Sequence, residues 1–547
     1  MSRTSGRPAS ANHPGGAVSG PGTRILVADG LAEEGLARLR VGAEVLVHTG
    51  VAEDALAAAL PDVDALIVRS RTQVSAAALT DATRLRVIAR AGVGVDNIDV
   101  EAATRQGILV LNAPESSTTA AAEHTLALLL ALARRIPRAQ IALAAGRWTR
   151  EQFIGTELSG KVLGVVGLGK IGSGVARRAL AFGMRVIAHD PYVSKERARR
   201  LGVELGAWDE VLAQSDVLTL HTPLARETAA LIGADELAAM KPGALLVNCA
   251  RGGLVDEEAL LAALQAGRIG GAALDVFALE PPPPDYPLLA HPRVVATPHL
   301  GASTVEAQRS IAVDIADQVL AALRGEPVHG AVNAPALREE TWRRLDPFMH
   351  LTRSLGTLSR QLADGQLITI ALRYEGEVAG ADTAALTASF LAGLLGGVSE
   401  ETVNLVNAGL IAKERGLRVS ETHSDLCEDF TSEIVAEIET SRGLLKLGGT
   451  LFGHREPRIT RLNEWRLDLA PAEHMLFIWN EDRPGMIGVV GTILGRHRVN
   501  IANMHVGRRN MGGSAVMILT LDAPATVAAV GEIRRAGSIA RATPVRV

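Results

Sequence analysis

Residues 161–190 read KVLGVVGLGKIGSGVARRALAFGMRVIAHD. The apolar run VLGVV predicts a buried strand. It is followed by Gly167-Leu168-Gly169-Lys170-Ile171-Gly172, a G-x-G-x-x-G. A helical pattern runs on through Phe182, and residues 184–189 predict a second strand ending at Asp190. In a chain with 55 glycines the spacing alone says little. Its context decides: a strand before it, a helix opening on it, and an acidic residue 18 positions past Gly172. That is the fingerprint of a dinucleotide-binding βαβ unit. Gly167 permits the tight turn, Gly169 lets backbone approach a pyrophosphate, and Gly172 lets helix and strand pack closely. N–H groups at the helix start then face the pyrophosphate. Asp190 is placed to accept hydrogen bonds from both ribose hydroxyls, and a 2′-phosphate there would meet a like charge. The expectation is NAD rather than NADP. The competing reading is a glycine-rich strand–helix turn with no ligand.

Ahead of this unit the same rhythm is visible. From Arg24, RILVADG is strand-like and LAEEGLARLR has helical spacing; DALIVRS and RVIARAG are further buried strands. This predicts a small parallel sheet. The VRSRT loop puts Arg69 and Arg71 at a strand's carboxyl end, where α/β proteins bind ligands. Two solvated arginines would read the same way. The GVGVDN loop that follows, with Val93 and Gly94, offers backbone for a ligand or a simple turn. Residues 117–135 predict a long helix linking the two sheets, with His124 a satisfied helix residue rather than a ligand. The segment around Trp148, flanked by Arg147 and Arg150, breaks the helical run.

After Asp190, strand-like runs end in turn at Thr222, at Cys249-Ala250-Arg251, at Asp275 and at His299. Four successive strand ends with functional side chains on one sheet edge mark a ligand site. Arg251 could grip a carboxylate with its planar fork. His299 is a candidate acid/base, and Glu280 could orient its imidazole. With NAD, this set suits one reaction. A 2-hydroxy acid gives its hydroxyl proton to His299 while C2 passes hydride to the nicotinamide. Each residue alone also fits a bland role: a surface arginine, a solvated acid, a core histidine.

Composition sets the outer limits. At ~150 residues per domain the chain holds about three to four domains. A net charge of −4 with 21% charged residues suggests no nucleic-acid surface. No apolar run approaches the ~20 residues that span a bilayer. Two distant cysteines, Cys249 and Cys427, fit a reducing cytosol. Residues 1–22, rich in Ser, Gly, Pro and Ala, predict a disordered tail. Residues 327–341 read as a linker. Beyond it come helical stretches, a strand-like LITIALRYEGEV, and an amphipathic helix over residues 396–416. Residues 474–547 predict βαββαβ, a ferredoxin-like plan.

The motifs VGLGKIG, HTPL, NCARGGLVDE, LDVFALEPP and TPHLGAST resemble those of the D-2-hydroxyacid dehydrogenases. Residues 24–547 together resemble the long D-3-phosphoglycerate dehydrogenases of that family. The resemblance implies an α/β fold of two Rossmann-like doubly wound lobes, then an α+β intervening domain and a ferredoxin-like ACT domain. Residues 24–120 and 301–326 would form the substrate lobe, with residues 304–323 its return helix, and 121–300 the NAD-binding domain. Residues 342–470 would be the intervening domain, associated in the family with anion binding and regulation, and 474–547 the ACT domain. It implies catalytic Arg251, Glu280 and His299. NAD contacts would fall at Gly167, Gly169, Lys170, Ile171, Gly172, Asp190, Thr222, Cys249, Ala250, Arg251, Asp275, His299, Leu300, Gly301 and Ala302. Arg69, Arg71, Val93 and Gly94 become candidates for 3-phosphoglycerate. Asp482 and Asn500 match positions that hold an L-serine effector, while Asn480 replaces a tyrosine common in relatives. A cytoplasmic homotetramer or other homo-oligomer is implied, the Trp148 segment packing on a partner, with no metal, nucleic acid or membrane. Two rivals stay open: another short D-2-hydroxy acid as substrate, and a dinucleotide-sensing binding protein.

Overall fold

The computed structural model describes residues 22–397, 402–508 and 510–547. The expected tail lies outside these residues, save Gly22.

Two parallel sheets make up the first three-fifths. The smaller has the order Glu44–Val47, Arg24–Val27, Ala65–Val68, Val87–Arg90, Leu109–Leu111, with every pair parallel. Numbered along the chain this is 2-1-3-4-5, a doubly wound order whose ligand crevice lies at the carboxyl ends. Its strands are apolar runs because helices cover both faces; all four residues of Ala65–Val68 are buried. The larger sheet has seven strands. Outward from Val162–Val166 run Arg185–His189 and Glu204–Leu205 on one side. On the other run Val217–Leu220, Leu245–Asn248, Gly271–Leu274 and Val294–Ala296. This is 3-2-1-4-5-6-7, the dinucleotide-binding order.

Two helices join the lobes. Thr118–Ala133 packs on helix Lys170–Ala181, where the Gly174 backbone comes close to Ala122. Val305–Leu323, capped by the Thr304 hydroxyl on Ala307 N–H, returns the chain to the first sheet. It lies on helix Glu33–Gly42 so closely that a Cβ on Gly35 would stand 2.6 Å from the Ala312 carbonyl oxygen.

The next part is a six-stranded mixed sheet under two helices. Leu367–Gly376 was legible; Arg418–Ser424, Ser432–Thr440, Gly443–Phe452, Glu456–Leu462 and Trp465–Leu469 are strands that the sequence reading missed. Helices Glu339–Leu362 and Ala384–Leu395 touch backbone to backbone, Gly356 against Phe390 and Gly393 against Arg353. The helix expected over residues 396–416 is a single short one, Ala408–Glu414; residues 398–401 lie outside the described set. Asn404 and Asn407 explain the late start. Their side chains accept from Val406 N–H and Asn404 N–H, building a turn where helical bonds would otherwise form.

The last part is βαββαβ: His474–Glu481, Met486–Arg496, Ile501–Arg508, Ser514–Leu521, Val527–Arg535, Ile539–Arg546. Its antiparallel sheet has the spatial order 4-1-3-2 in its own numbering. One face carries its two helices. The other does not face water: Met475, Phe477, Val516, Ile518 and Val545 belong to the same core as the preceding part. Arg541 seals the seam, pairing with Asp364 at 2.9 Å and lying 4.8 Å over the Trp479 ring.

Candidate active site

The nucleotide turn is built as its glycines require. Gly167 has φ +89°, and a Cβ there would stand 2.5 Å from the His221 carbonyl oxygen. A Cβ on Gly172 would stand 2.0 Å from the Gly167 carbonyl oxygen. Gly169 differs: nothing lies within 4 Å of where its Cβ would be. That open space, before the first turn of helix Lys170–Ala181, is the cradle a pyrophosphate needs. Asp190 ends the second strand. Its two oxygens accept from Leu168 N–H at 2.8 Å and Tyr192 N–H at 2.9 Å, which holds the carboxylate beside the turn. Lys170 reaches across to Glu115 of the other lobe, Nζ to Oε1 2.6 Å. Ile171 and Thr222 are half-buried at the same edge. Burial pushes the Cys249 thiol up to about 12, so it is neutral wall there and no nucleophile. Burial likewise drives His221 down to about 4, leaving a neutral ring 3.0 Å from the Thr219 hydroxyl.

Two loops at the carboxyl edge bring Arg251, Glu280 and His299 together. Asn248, buried at the end of its strand, accepts from Ala250 N–H and donates to the Arg251 carbonyl, shaping the turn. Gly252 follows, and a Cβ there would stand 1.9 Å from the Phe277 carbonyl oxygen. The Arg251 turn is thereby pressed onto the loop that carries Glu280. Glu257 holds that loop from behind, accepting from Ala278 N–H and from the Tyr286 hydroxyl. Glu280 accepts from Phe277 N–H at 3.1 Å, and its Oε2 meets His299 Nδ1 at 2.7 Å. Burial raises the Glu280 carboxyl, but the hydrogen bond and charge of His299 outweigh it, and the net lies below the usual carboxylate range. His299 has φ +55°, a left-handed conformation few non-glycine residues adopt.

Asp275 explains how that backbone is held. The sequence reading counts it among the cofactor contacts, but its side chain is 0% exposed. Its Oδ1 accepts from Leu300 N–H, the Thr297 hydroxyl and His124, and its Oδ2 from Gly301 N–H. Its carbonyl accepts from His299 N–H at 2.8 Å. In this structure the Asp275 side chain anchors the His299 loop. His124, read as an ordinary helix residue, is satisfied, and its partners are Asp275 and Thr297 at 3.1 Å each. Ala302, just beyond, packs partly on the core of the smaller lobe.

The smaller lobe faces this edge. Asp96 accepts from Arg251 Nε at 3.0 Å, and a Cβ on Gly94 would stand 2.0 Å from Arg251 Nη2. The Arg69 loop is set by Asp29 and by Asn97, the last residue of the GVGVDN loop. Asp29 accepts from Arg69 N–H, Thr72 N–H and the Thr72 hydroxyl; Asn97 donates to the carbonyls of Arg69 and Thr72. Arg69 Nη1 lies 3.4 Å from Gln308 Oε1, while Arg71 is exposed. The Val93 carbonyl accepts from Asn112. One cation was missed: Arg90, at the end of strand Val87–Arg90, whose guanidinium lies over Gly92. Its position at the end of the run RVIAR was the available signal.

The candidate effector residues stand apart in the last sheet. Asp482 accepts from Arg508 Nη1 at 3.4 Å and Gly512 N–H at 3.3 Å. Asn500 donates to Asp522 at 2.7 Å. Asn480 donates to the Glu481 carbonyl, and its Oδ1 is buried without a partner.

Fold and site together define an NAD-dependent oxidoreductase of hydroxy acids. Residues 126–301 match the D-isomer specific 2-hydroxyacid dehydrogenase NAD-binding domain, 344–463 the D-3-phosphoglycerate dehydrogenase intervening domain, and 474–538 the ACT domain. The chain is 44% identical to the D-3-phosphoglycerate dehydrogenase of Synechocystis over 96% of its length and 95% of the relative's. It is 41% identical to that of Archaeoglobus fulgidus, over 96% of its length and 100% of the relative's. Among solved structures it resembles the TT0316 protein of Thermus thermophilus (TM-score 0.53, 41% identity) and D-lactate dehydrogenase of Escherichia coli (TM-score 0.52, 29%). Each covers 57% of this chain and 100% of the other. The chain belongs to the D-3-phosphoglycerate dehydrogenase family.

Proposed function

We propose that the chain oxidises D-3-phosphoglycerate to 3-phosphooxypyruvate with NAD, the first step of the phosphorylated route to L-serine. The observation that carries this is the Glu280–His299 pair at 2.7 Å, beside Arg251 and at the same edge as the nucleotide turn. Glu280 occupies Nδ1 of His299, so Nε2 is the nitrogen left to take a proton. Arg251, steadied by Asp96, grips the substrate carboxylate and fixes which face of C2 is presented. His299 Nε2 accepts the hydroxyl proton as the carbonyl forms, and Glu280 stabilises the resulting imidazolium. Bound NAD supplies the acceptor for the C2 hydride, giving NADH, the 2-oxo acid and one proton. A protein that only sensed a dinucleotide would have no use for this pair. Arg69 and Arg71 are assigned to the phosphate, Val93 and Gly94 to substrate backbone contacts, and Asp190 to the NAD ribose. Residues 24–120 with 301–326 are taken as the substrate lobe and 121–300 as the NAD-binding domain.

The assembly is taken as a homotetramer or other homo-oligomer. Ile136, Ile141, Leu143, Trp148 and Ile154 form an exposed apolar stretch that a second copy would cover. Two free cysteines support a cytosolic setting, and no helix among the described residues is long and apolar enough to cross a membrane. L-serine is assigned as effector at Asp482 and Asn500, where its ammonium must displace Arg508. Turnover of NAD with D-3-phosphoglycerate, compared with D-glycerate, tests the assignment: the phosphorylated acid should have the larger kcat/KM. Equal values would leave a different 2-hydroxy acid as substrate.

A further inference from the structure

Helix Val100–Arg105 has only six residues, yet side chains tie it at both ends. At its start the Asp99 carboxylate accepts from Ala102 N–H at 2.9 Å. Just before, Asn97 donates to the carbonyls of Arg69 and Thr72, and Ile98 bridges to Val74. Asp96, which steadies Arg251, precedes Asn97. The helix therefore begins on the loop that lines the cleft. Its other end is held from outside the catalytic fold. The carbonyls of Ala102, Ala103 and Thr104 are taken by the N–H groups of Gln106, Ile108 and Gly107, as at any closing helix. Those of Arg105 and Gly107 accept instead from Asn407 Nδ2 at 3.4 Å and Asn404 Nδ2 at 2.8 Å, side chains of the intervening domain. Asn333, from the linker, donates to the Ile108 carbonyl at 2.9 Å and accepts from Val110 N–H at 2.8 Å. Arg105 Nε adds an ion pair to Glu414 at 3.5 Å.

The contact is close. Gly107 has φ +71°, and a Cβ there would stand 2.6 Å from Asn404 Nδ2 and 3.0 Å from Asn407 Nδ2. Asn404 divides its work between two atoms. Its Oδ1 accepts from Val406 N–H at 2.8 Å and Asn407 N–H at 3.3 Å, which builds the local turn. Its Nδ2 reaches Gly107. Asn407 closes the same turn, Oδ1 accepting from Asn404 N–H and Nδ2 donating to the Thr402 carbonyl as well as to Arg105. A turn of this kind needs only the acceptor oxygen, and aspartate would serve it equally. The amide of Asn404 is needed only where the two domains meet.

We infer that Asn404 is a positioning residue for the substrate loop. With Asn407 it fixes the far end of helix Val100–Arg105, and about 9 Å of helix carries that hold to Asp96 and Asn97. The intervening domain is thereby part of the cleft's geometry rather than a module tethered beside it. Asn404 acts through the helix and takes no part in the chemistry. Order in the turn and occupancy of the cleft then favour each other. This rests on the cleft being the substrate site assigned above.

The test uses the full chain as wild type, Asn404→Asp and the double variant Asn404→Asp/Asn407→Asp. Aspartate keeps the oxygen that builds the turn and removes the amide that reaches Gly107. Amide hydrogen exchange over residues 97–108 should quicken about three- to tenfold in Asn404→Asp, the scale of one hydrogen bond, and more in the double variant. Exchange in the sheet over residues 432–452 should not change. KM for D-3-phosphoglycerate should rise by a similar factor, about three- to tenfold, while kcat and KM for NAD stay within about twofold. A contact that served stability alone would do the converse, lowering Tm and the active fraction with KM unchanged. That result, or exchange over residues 97–108 equal to wild type, would overturn the assignment. If wild type does not turn over D-3-phosphoglycerate, the substrate reading fails. The exchange comparison needs no substrate and judges the Asn404 contact by itself.

Discussion

The catalytic cleft and the terminal ACT sheet treat their polar groups in opposite ways. In the cleft, scaffold groups are saturated, Arg251 is steadied by Asp96, and the base keeps one ring nitrogen open. Asp275, Asn248, Asp29 and Asn97 spend their oxygens and amides on loops. His299 presents an open ring nitrogen, and Arg90 Nε is buried without a hydrogen-bond partner. In the ACT sheet the candidate ligand groups are themselves occupied: Asp482 by Arg508, Asn500 by Asp522. An open ring nitrogen can take a proton at once; a carboxylate that already has a cation must exchange it. The first arrangement favours tight positioning, the second a weak and adjustable response.

The largest effect separating the two regions lies at the base. His299→Ala should cut kcat by about 10²–10⁴-fold, the usual contribution of a positioned acid/base, measured at saturating NAD. A loss below tenfold would mean that the open nitrogen is not the proton acceptor. Next comes the anchor. Asp275→Ala removes a buried carboxylate and strands the N–H groups of Leu300 and Gly301. Unsatisfied buried groups cost ~1–3 kcal/mol each. A drop of several degrees in Tm should therefore accompany a kcat loss of at least about tenfold, because the His299 loop loses its hold. Lost stability with full kcat would show that the loop holds itself.

In the ACT sheet the expected effects are smaller. Freeing Asp482 by Arg508→Ala should strengthen inhibition by L-serine about five- to tenfold, at the low end of the usual 1–3 kcal/mol of coupling, and Asp482→Ala should abolish it. Unchanged inhibition in both would place the effector elsewhere. The smallest effect concerns pH. The Glu280 carboxyl is held below its ordinary value, so its contribution to stability is complete above the ordinary carboxylate range and is lost as pH falls through the lower, folded value. The Tm gap between wild type and Glu280→Gln should be constant near neutrality and close only in acid. A gap that vanished already at neutral pH would contradict the pairing.

The contrast also marks what the sequence could reveal. The Rossmann turn was legible because Gly167, Gly172 and Asp190 each answer a local steric or charge demand. Arg251, Glu280 and His299 were legible because strand ends on one edge of a parallel sheet must converge. The terminal βαββαβ order was legible from turn residues and apolar runs. Asp275 was placed at its strand end, but only the tertiary fold shows that its oxygens hold the Leu300 and Gly301 N–H groups. Arg90 was signalled only by its place at the end of RVIAR, which does not tell a paired arginine from one whose Nε is left without a partner. The strands between residues 418 and 469 were missed because their glycines, charges and one-residue register shifts blur the alternation. The long helix expected at residues 396–416 failed because Asn404 and Asn407 offer the backbone a competing turn.

The central claim is that His299 takes the hydroxyl proton while C2 gives up hydride at one cleft. D-3-phosphoglycerate carrying deuterium at C2, turned over with NAD, tests it most directly. The account predicts NADH labelled at its C4 with one deuterium per turnover in wild type, and the same labelling at a rate about 10²–10⁴-fold lower in His299→Ala. Unlabelled NADH, or wild-type and variant rates that agree, would contradict it.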